Sequence, residues 1–374
     1  MLIKIEKLRE LSESIGISQL GITTAEPLVH MQNRLQRRID EGRVTPFEEK
    51  NPALRLSPEH ILPGCRSIIV LVVPFMIKDS FMPASEGGPR GLIARCARGI
   101  DYHTIVEQKA GQIVALIRSE TGLAFNFRIL SDRSPLLERE LARKAGLGWI
   151  GENCTLVNSR YGSFTALGTI LVNREIAVDK PIDGSCRHCR LCQEACPTGA
   201  LKEPYILDPR LCLSYLNQAA GIFPRDMRRF MENRIYGCDR CQEACPHNQA
   251  VDCSPFSEFS FPLFPAEPLL IPLLTMTRKE FDQTIGLTSA GWRGKTILQR
   301  NAVIALGNSV DQAAVRPLSR LLENDPRPLI RLHSAWSLGR IGGSKARYAL
   351  EKSRQNDHDT DVKEEVLYIL ESGS

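Results

Sequence analysis

Residues 186–197 read CRHCRLCQEACP, a C-x2-C-x2-C-x3-C-P run. Bacterial ferredoxins use this spacing: the first three thiolates hold one 4Fe-4S cube, and the fourth, just ahead of the proline, belongs to a second. One such run therefore calls for two clusters. An incomplete copy, CDRCQEACP, follows at 238–246, and Cys212 upstream is the candidate for its missing ligand. The crossing rule assigns Cys186, Cys189, Cys192 and Cys245 to one cube and Cys196, Cys212, Cys238 and Cys241 to the other. Pairs of C-x2-C also suit tetrahedral zinc. Zinc does not ask for two Q-E-A-C-P endings, however, and eight thiolates around two zinc ions would carry a large uncompensated negative charge. Two cubes in one module point to electron transfer.

The other four of the twelve cysteines, Cys65, Cys96, Cys154 and Cys253, are scattered. With 374 residues, 43% hydrophobic and 24% charged, the chain has the composition of an ordinary soluble protein of two to three domains. Its longest apolar run, Ile68 to Ile77, is broken by Pro74 and falls short of the ~20 residues that span a bilayer. The first residues, MLIKIEKLRELSESIG, mix Glu and Lys at helical spacing and lack the apolar core of a secretory signal. A cytoplasmic protein without membrane attachment is expected, and in that compartment thiolates are reduced and available to metal.

Upstream of the cysteines, residues 1–180 alternate helix-like and strand-like patterns: SIIVLVVPF at 67–75 and LGTILV at 167–172 read as strands, HTIVEQKAGQIVALIRSE at 103–120 as a helix. This alternation predicts an α/β domain. Its loops AGLGWIG (145–151) and YGSFTALG (161–168) are rich in glycine. The first contains G-x-G-x-x-G, but it follows the helical stretch LLERELARKA and not a strand, so a dinucleotide site is not expected. Downstream of a ferredoxin-like double 4Fe-4S module at 181–255, prolines 255, 262, 265, 268 and 272 predict a surface linker over 256–290. In the remaining segment, 291–374, TILQRNAVIALGN (296–308) aligns with PLIRLHSAWSLGR (328–340), with a fainter copy at VKEEVLYIL (362–370). Stacked all-α HEAT-like hairpins are predicted. Residues 291–354 carry twelve Lys/Arg against four acids, more surplus than the whole chain's net +5. Arg225, Arg228, Arg229, Arg234 and Arg240 form a second basic group. Together they predict a nucleic-acid partner in preference to a small anion.

The strings NRIYGCDRCQEACPHN (233–248), AGLGWIGEN (145–153), DYH (101–103) and SDRSPLLERELARKAG (131–146), with the cysteine pattern and the HEAT-like tail, cover nearly the whole chain. In these the sequence resembles the epoxyqueuosine reductase family. The resemblance implies reduction of epoxyqueuosine to queuosine at the wobble position of tRNA, the last step of queuosine biosynthesis. It implies two 4Fe-4S clusters feeding electrons to cob(I)alamin, and a cobalamin-binding N-terminal domain. The cobalamin would be base-off, since Asp101-Tyr102-His103 is followed by Thr104, Ile105 and Val106 and so lacks the D-x-H-x-x-G motif that donates a lower-face histidine.

Residue by residue, the resemblance makes Asp132 the proton donor, also in contact with the cofactor, with a carboxyl pKa raised by removal from bulk water. Read without the family, Asp132 suits the N-cap of a helix starting near Pro135. Arg55, Cys96, Gly148, Gly151, Asn153, Leu156, Ser214 and Asp239 are the implied cobalamin contacts, and Trp149 a core residue. Tyr102 and His103 would line the substrate pocket, and Arg225, Arg228 and Arg229 would meet tRNA. The sequence departs from the family at Glu152, where Lys is commoner, at Thr169 in place of Glu, and at His247 in place of Trp. The implied partners are tRNA carrying epoxyqueuosine and an external donor of the flavodoxin or ferredoxin type, acting on a monomer. Two other readings compete: a reductive dehalogenase-like corrinoid enzyme and a non-catalytic iron–sulfur scaffold.

Overall fold

The strand β2, Ser67–Pro74, is buried at every position. The reason is that both faces of its sheet are covered. Ile68, Val70 and Val72 pack with Leu141 and Ala142 in one core. On the other face, a Cβ on Gly168 would meet Val106 at 2.4 Å and Leu71 at 3.8 Å. The sheet has four strands, ordered β1 (Leu20–Thr24), β2, β4 (Thr165–Val172) and β3 (Phe127–Leu130), and every pairing is antiparallel. The near-continuous apolar run reads like a parallel strand; double-sided burial produces the same pattern in an antiparallel one. Helix α1 (Tyr102–Thr121) packs on β2 and β4, and α2 (Glu138–Lys144) on β1, β2 and β4. The predicted strands and helix are thus present, in a mixed α/β unit.

The computed structural model describes residues 2–77, 87–260 and 263–372. Its packing forms two units: the described residues within Met1–Lys78, Gly99–Leu211 and Asp239–Phe261, and those within Asp79–Arg98, Cys212–Cys238 and Pro262–Ser374. These cut across the chain-order segments expected from sequence. In the second unit Leu92–Ile93 pairs in parallel with Arg234–Tyr236, and the Gly91 amide donates to Pro268 O at 2.8 Å. Gly91 is required there, since a Cβ would lie 2.8 Å from Leu270.

The expected surface linker is a core element of the second unit. Leu270, Leu273, Leu274, Phe281 and Ile285 are buried in its hydrophobic cluster. Leu270–Thr275 and Arg278–Gln283 are helices, the latter opened by a Thr277–Glu280 capping box. Pro272 falls in a first helical turn, where its missing N–H breaks no bond; Pro262 lies outside the described residues.

Five helices make up the C-terminal part of the unit: α5 (Gly294–Ser309), α6 (Val315–Asn324), α7 (Pro328–Ile341), α8 (Ser344–Asn356) and α9 (Thr360–Ser372), where α3 and α4 are the short helices Leu191–Glu194 and Arg240–Glu243 of the first unit. The aligned sequence copies are α5, α7 and α9, and α7 packs on both others. The repeated Leu-Gly explains how closely: a Cβ on Gly307 would lie 2.8 Å from Ser337 Cα, and one on Gly339 2.4 Å from Ile369. Gly307→Ala is therefore expected to destabilise the protein by about 1–3 kcal/mol through overpacking, measured by urea denaturation. An unchanged midpoint would show that the helices separate freely.

The basic surplus is smaller in space than in sequence. Arg300 is fully buried and donates to the carbonyls of Leu216, Asn217, Ala219 and Gly221. Burial, then Arg293 and Arg228, push its pKa down to about 9. Arg327 pairs with Asp325, Arg331 with Asp357, Arg347 with Glu351 and Lys352 with Glu323. Arg316, Arg320, Arg340, Lys345 and Arg354 are exposed.

Candidate functional site

Strand β3 ends at Leu130, opposite Thr169 of β4, and the chain then turns sharply at Asp132, whose φ of +54° is left-handed. Few non-glycine residues adopt that region unaided. The Asp132 amide donates to both carboxyl oxygens of Glu138, at 3.2 and 3.1 Å. Asp132 is not the helix cap: α2 begins at Glu138, after Leu137. Its side chain is 66% exposed and accepts a hydrogen bond from the Tyr102 hydroxyl at 2.6 Å.

Tyr102 and His103 stand at the start of α1, where Asp101 is the N-cap. Asp101 Oδ1 accepts the His103 amide at 3.1 Å and lies 2.6 Å from His103 Nδ1. A proton on Nδ1 satisfies that contact and leaves Nε2 directed to Asp132 Oδ2, 3.9 Å away. The Tyr102 and His103 rings stack at 4.1 Å. Burial works to raise the Asp101 pKa, but hydrogen bonds from His103 and its charge hold the carboxyl below its ordinary value. The burial expected at Asp132 falls on Glu138 instead: desolvation first, then the charge of Asp132, push the Glu138 pKa up to about 8. The structure thus brings together the sequence candidates Asp132, Tyr102 and His103, and adds Asp101 and Glu138. Asp101 had a signal in sequence, an Asp directly before a helical pattern. Glu138 had none, because its reach back to Asp132 depends on the turn between them.

In the same unit the cysteine run forms a loop in which Arg187, His188 and Arg190 have φ of +48°, +57° and +56°. Successive left-handed residues turn amides inward, as concavities around anionic iron–sulfur groups require. Helices α3 and α4 pack on each other, each carrying a Cys-Gln-Glu. Burial raises the Cys192 pKa to about 11, with Cys186, Cys189 and Glu152 adding to it. Cys245 is raised by burial and by Cys186 and Cys189. These are the four thiols that the crossing rule groups, close enough to disfavour one another's ionisation, a repulsion that iron relieves. The Glu152 amide donates to Cys186 Sγ at 3.3 Å. The thiols are neighbours without being closed on a point: among the described residues no three Cys, His, Asp or Glu side chains converge as a single metal ion demands. Of the second set, Cys196 and Cys241 lie in the first unit, Cys212 and Cys238 in the second.

A family model for a 4Fe-4S double cluster binding domain matches residues 185–248, one for HEAT repeats 294–371, and one described as epoxyqueuosine reductase QueG, DUF1730, residues 55–133. An epoxyqueuosine reductase of Bacillus cereus is 35% identical over 97% of this chain and 94% of its own. The chain belongs to the epoxyqueuosine reductase family. Two solved structures of the family superpose closely. One, with a tRNA-Tyr epoxyqueuosine-modified stem loop, has a TM-score of 0.93 at 34% identity, covering 98% of both chains. The other, from Bacillus subtilis with its catalytic aspartate loop swung out of the active site, has a TM-score of 0.91 at 35% identity, also over 98% of both.

Among the cobalamin contacts that the family implies, Arg55 donates to Glu48 at 3.0 Å, while its buried Nε has no protein partner among the described residues. Ser131 Oγ, beside Asp132, is buried in the same condition. Orphaned polar groups at both places fit a polar ligand such as a corrinoid's amide rim. Gly148 and Gly151 close the hairpin Trp149–Ile150/Leu156–Val157: a Cβ on Gly148 would meet Val157 O at 2.3 Å, and one on Gly151 Asn153 Oδ1 at 2.8 Å. Asn153 Oδ1 accepts from Thr155, and Leu156 is in the core, so these four offer a ligand mainly backbone. Asp239 precedes α4, its carbonyl accepting the Gln242 and Glu243 amides at 2.8 Å. Cys96 and Ser214 belong to the second unit, where Cys96 packs on the core.

Arg228 is corrected as a tRNA contact. It is 1% exposed, paired with buried Glu365 and bonded to Phe223 O. Arg225 also pairs with Glu365 and lies 3.9 Å over the Tyr368 ring; Arg229 is exposed.

The departures from the family take defined places. Thr169 is fully buried in β4, and His247 packs edge-on to Trp149 at 5.1 Å. Glu152 is 1% exposed and turned into the cysteine loop, 3.4 Å from Gln193 Nε2 and 3.7 Å from His188 Nδ1. A buried carboxylate beside these thiols would oppose adding an electron to a cluster that they held. Glu152→Gln is therefore expected to raise that cluster's reduction potential, read by EPR-monitored redox titration. An unmoved potential would show that His188 and solvent screen the charge.

Proposed function

We propose that this chain reduces epoxyqueuosine in tRNA to queuosine with Asp132 as the acid that protonates the departing oxygen. The carrying observation is the Asp132 carboxyl, solvent-facing and fixed by Tyr102, on the unit that also holds the four facing thiols. Cobalamin, bound base-off near Arg55 and Ser131, would supply the reducing centre. Electrons would reach it through cubes on Cys186, Cys189, Cys192, Cys245 and on Cys196, Cys212, Cys238, Cys241. Tyr102 orients the Asp132 carboxyl, and His103, held by Asp101 and stacked on Tyr102, turns Nε2 toward the same carboxyl oxygen and, after taking up a proton from solvent, returns it to Asp132 between turnovers. In the Bacillus subtilis relative the catalytic aspartate loop is swung out of the active site, and the corresponding loop here is taken to be able to move likewise. An external flavodoxin- or ferredoxin-type donor serves a cytoplasmic monomer.

For tRNA, the second unit offers an open cleft of about 610 Å3 lined by Arg225, Asp226, Arg229, Trp336, Arg340 and Tyr368. Arginines beside the exposed Tyr368 suit phosphates and an unstacked base, whereas Trp336 is buried in the core. Truncation after residue 290 would strip the core of this unit, so point variants test the cleft. Arg229→Ala and Arg340→Ala are each expected to lower the slope of log affinity against log salt by about 1. An unchanged slope for both would remove the cleft from the tRNA path.

The decisive experiment is anaerobic turnover after reconstitution with iron, sulfide and cobalamin, a low-potential reductant and an epoxyqueuosine-modified stem loop, followed by nucleoside mass spectrometry. Queuosine is expected; epoxyqueuosine left unchanged would overturn the reading.

A further inference from the structure

The loop that carries Asp132 is held at two points. Tyr102 grips the carboxyl from α1. The backbone, in a left-handed conformation that costs an aspartate more than the extended or helical regions, is gripped by Glu138, the first residue of α2, through both of its oxygens. We propose that Glu138 is a positioning residue that latches the Asp132 amide to α2 and so fixes the direction of the acid's carboxyl. This rests on the reading of Asp132 as the proton donor.

The geometry explains why one side chain suffices. Among the described residues, the other backbone-to-side-chain bond between Asp132 and Glu138 is local, Leu136 N–H to Ser134 Oγ at 3.0 Å, and joins the loop to no other element. Without Glu138, the left-handed turn loses the acceptor that compensates it, and the carboxyl swings about Ser131. Tyr102 alone then holds a side chain whose backbone is free.

The charged groups facing Glu138 are Asp132 across the turn and Arg139 on its own helix, with Tyr102 and His103 of α1 beyond the Asp132 carboxyl. Desolvation first, and the charge of Asp132 whenever that carboxyl is ionised between turnovers, push the Glu138 pKa up to about 8, so Glu138 is protonated at neutral pH. Neutral, it accepts the amide through its carbonyl oxygen; ionised, above that value, it accepts through a charge-assisted bond. The latch should therefore tighten as pH rises through 8.

Glu138→Gln keeps a neutral acceptor, Glu138→Ala removes it, and Asp132→Asn tests the acid itself. In Glu138→Ala, kcat on the modified stem loop is expected to fall 10- to 100-fold, the scale of a misplaced catalytic group, with KM and iron content unchanged. Amide hydrogen exchange over 131–137, measured without substrate, should accelerate. Glu138→Gln should keep kcat within about threefold at pH 7 and exchange slowly, and should lack a wild-type inflection in kcat near pH 8. Wild-type kcat and exchange in Glu138→Ala would overturn the latch while a dead Asp132→Asn upheld the acid. Equal loss of activity, iron and melting temperature in both Glu138 variants would also overturn it, as a structural role. An active Asp132→Asn would instead sink the acid, and with it any catalytic purpose for the latch.

Discussion

Asp132→Asn is expected to lower turnover by about 10²- to 10⁴-fold, the usual contribution of a positioned general acid, while iron content and affinity for the stem loop stay at wild-type values. Asparagine keeps the shape of the side chain, and its Oδ1 still accepts the Tyr102 hydroxyl that now lies at 2.6 Å. The left-handed backbone is tolerated by Asn at least as well as by Asp, and the amide bond to Glu138 is untouched. What disappears is a proton that can be given to the leaving oxygen. Single-turnover rates measured with excess reduced enzyme isolate this step from electron delivery. A rate within threefold of wild type would transfer the acid role elsewhere, with His103 the next group in line because its Nε2 faces the same space.

How much of this was legible in sequence follows from the range over which each property is set. Cluster ligation obeys a local spacing rule, so the run at 186–197 announced itself, and Cys186 and Cys189 lie near enough to raise the Cys245 thiol, as neighbours in one grouping would. The strand Ser67–Pro74 and the helix Tyr102–Thr121 were visible in their apolar patterns, although double-sided burial concealed that the sheet is antiparallel. Charge is different, because composition counts side chains without their directions. Arg228 and Arg300 read as members of basic patches, yet both are buried and bonded to Glu365 and to backbone carbonyls. Prolines misled for a related reason: they mark where helices cannot extend, and between them Leu270, Leu273 and Leu274 carry an i, i+3, i+4 face that the core takes up. Glu138 was beyond reach altogether, since its partner is a backbone amide in a turn that no pattern predicts.

Cys245→Ala should stop turnover and halve the iron, from about eight to about four per chain, because each cube carries four irons and the proposed assignment makes Cys245 the thiol that closes the first. Cys253→Ala should leave iron, EPR signals and turnover unchanged. The contrast is informative because the two cysteines are eight positions apart on one stretch of chain. Cys245 is buried, with its thiol raised by Cys186 and Cys189. Its backbone role survives truncation of the side chain, since the amide still donates to Gln242 O at 3.1 Å and the carbonyl still accepts from Asn248 at 3.0 Å. Loss of iron in Cys245→Ala then reports on ligation and not on the fold, and circular dichroism checks that separation. Equal losses in both variants would dissolve the ligand assignment. Loss of one cube with turnover retained would preserve the assignment but make that cluster structural, and electrons would have to reach the site through the ligand set of Cys196, Cys212, Cys238 and Cys241 alone.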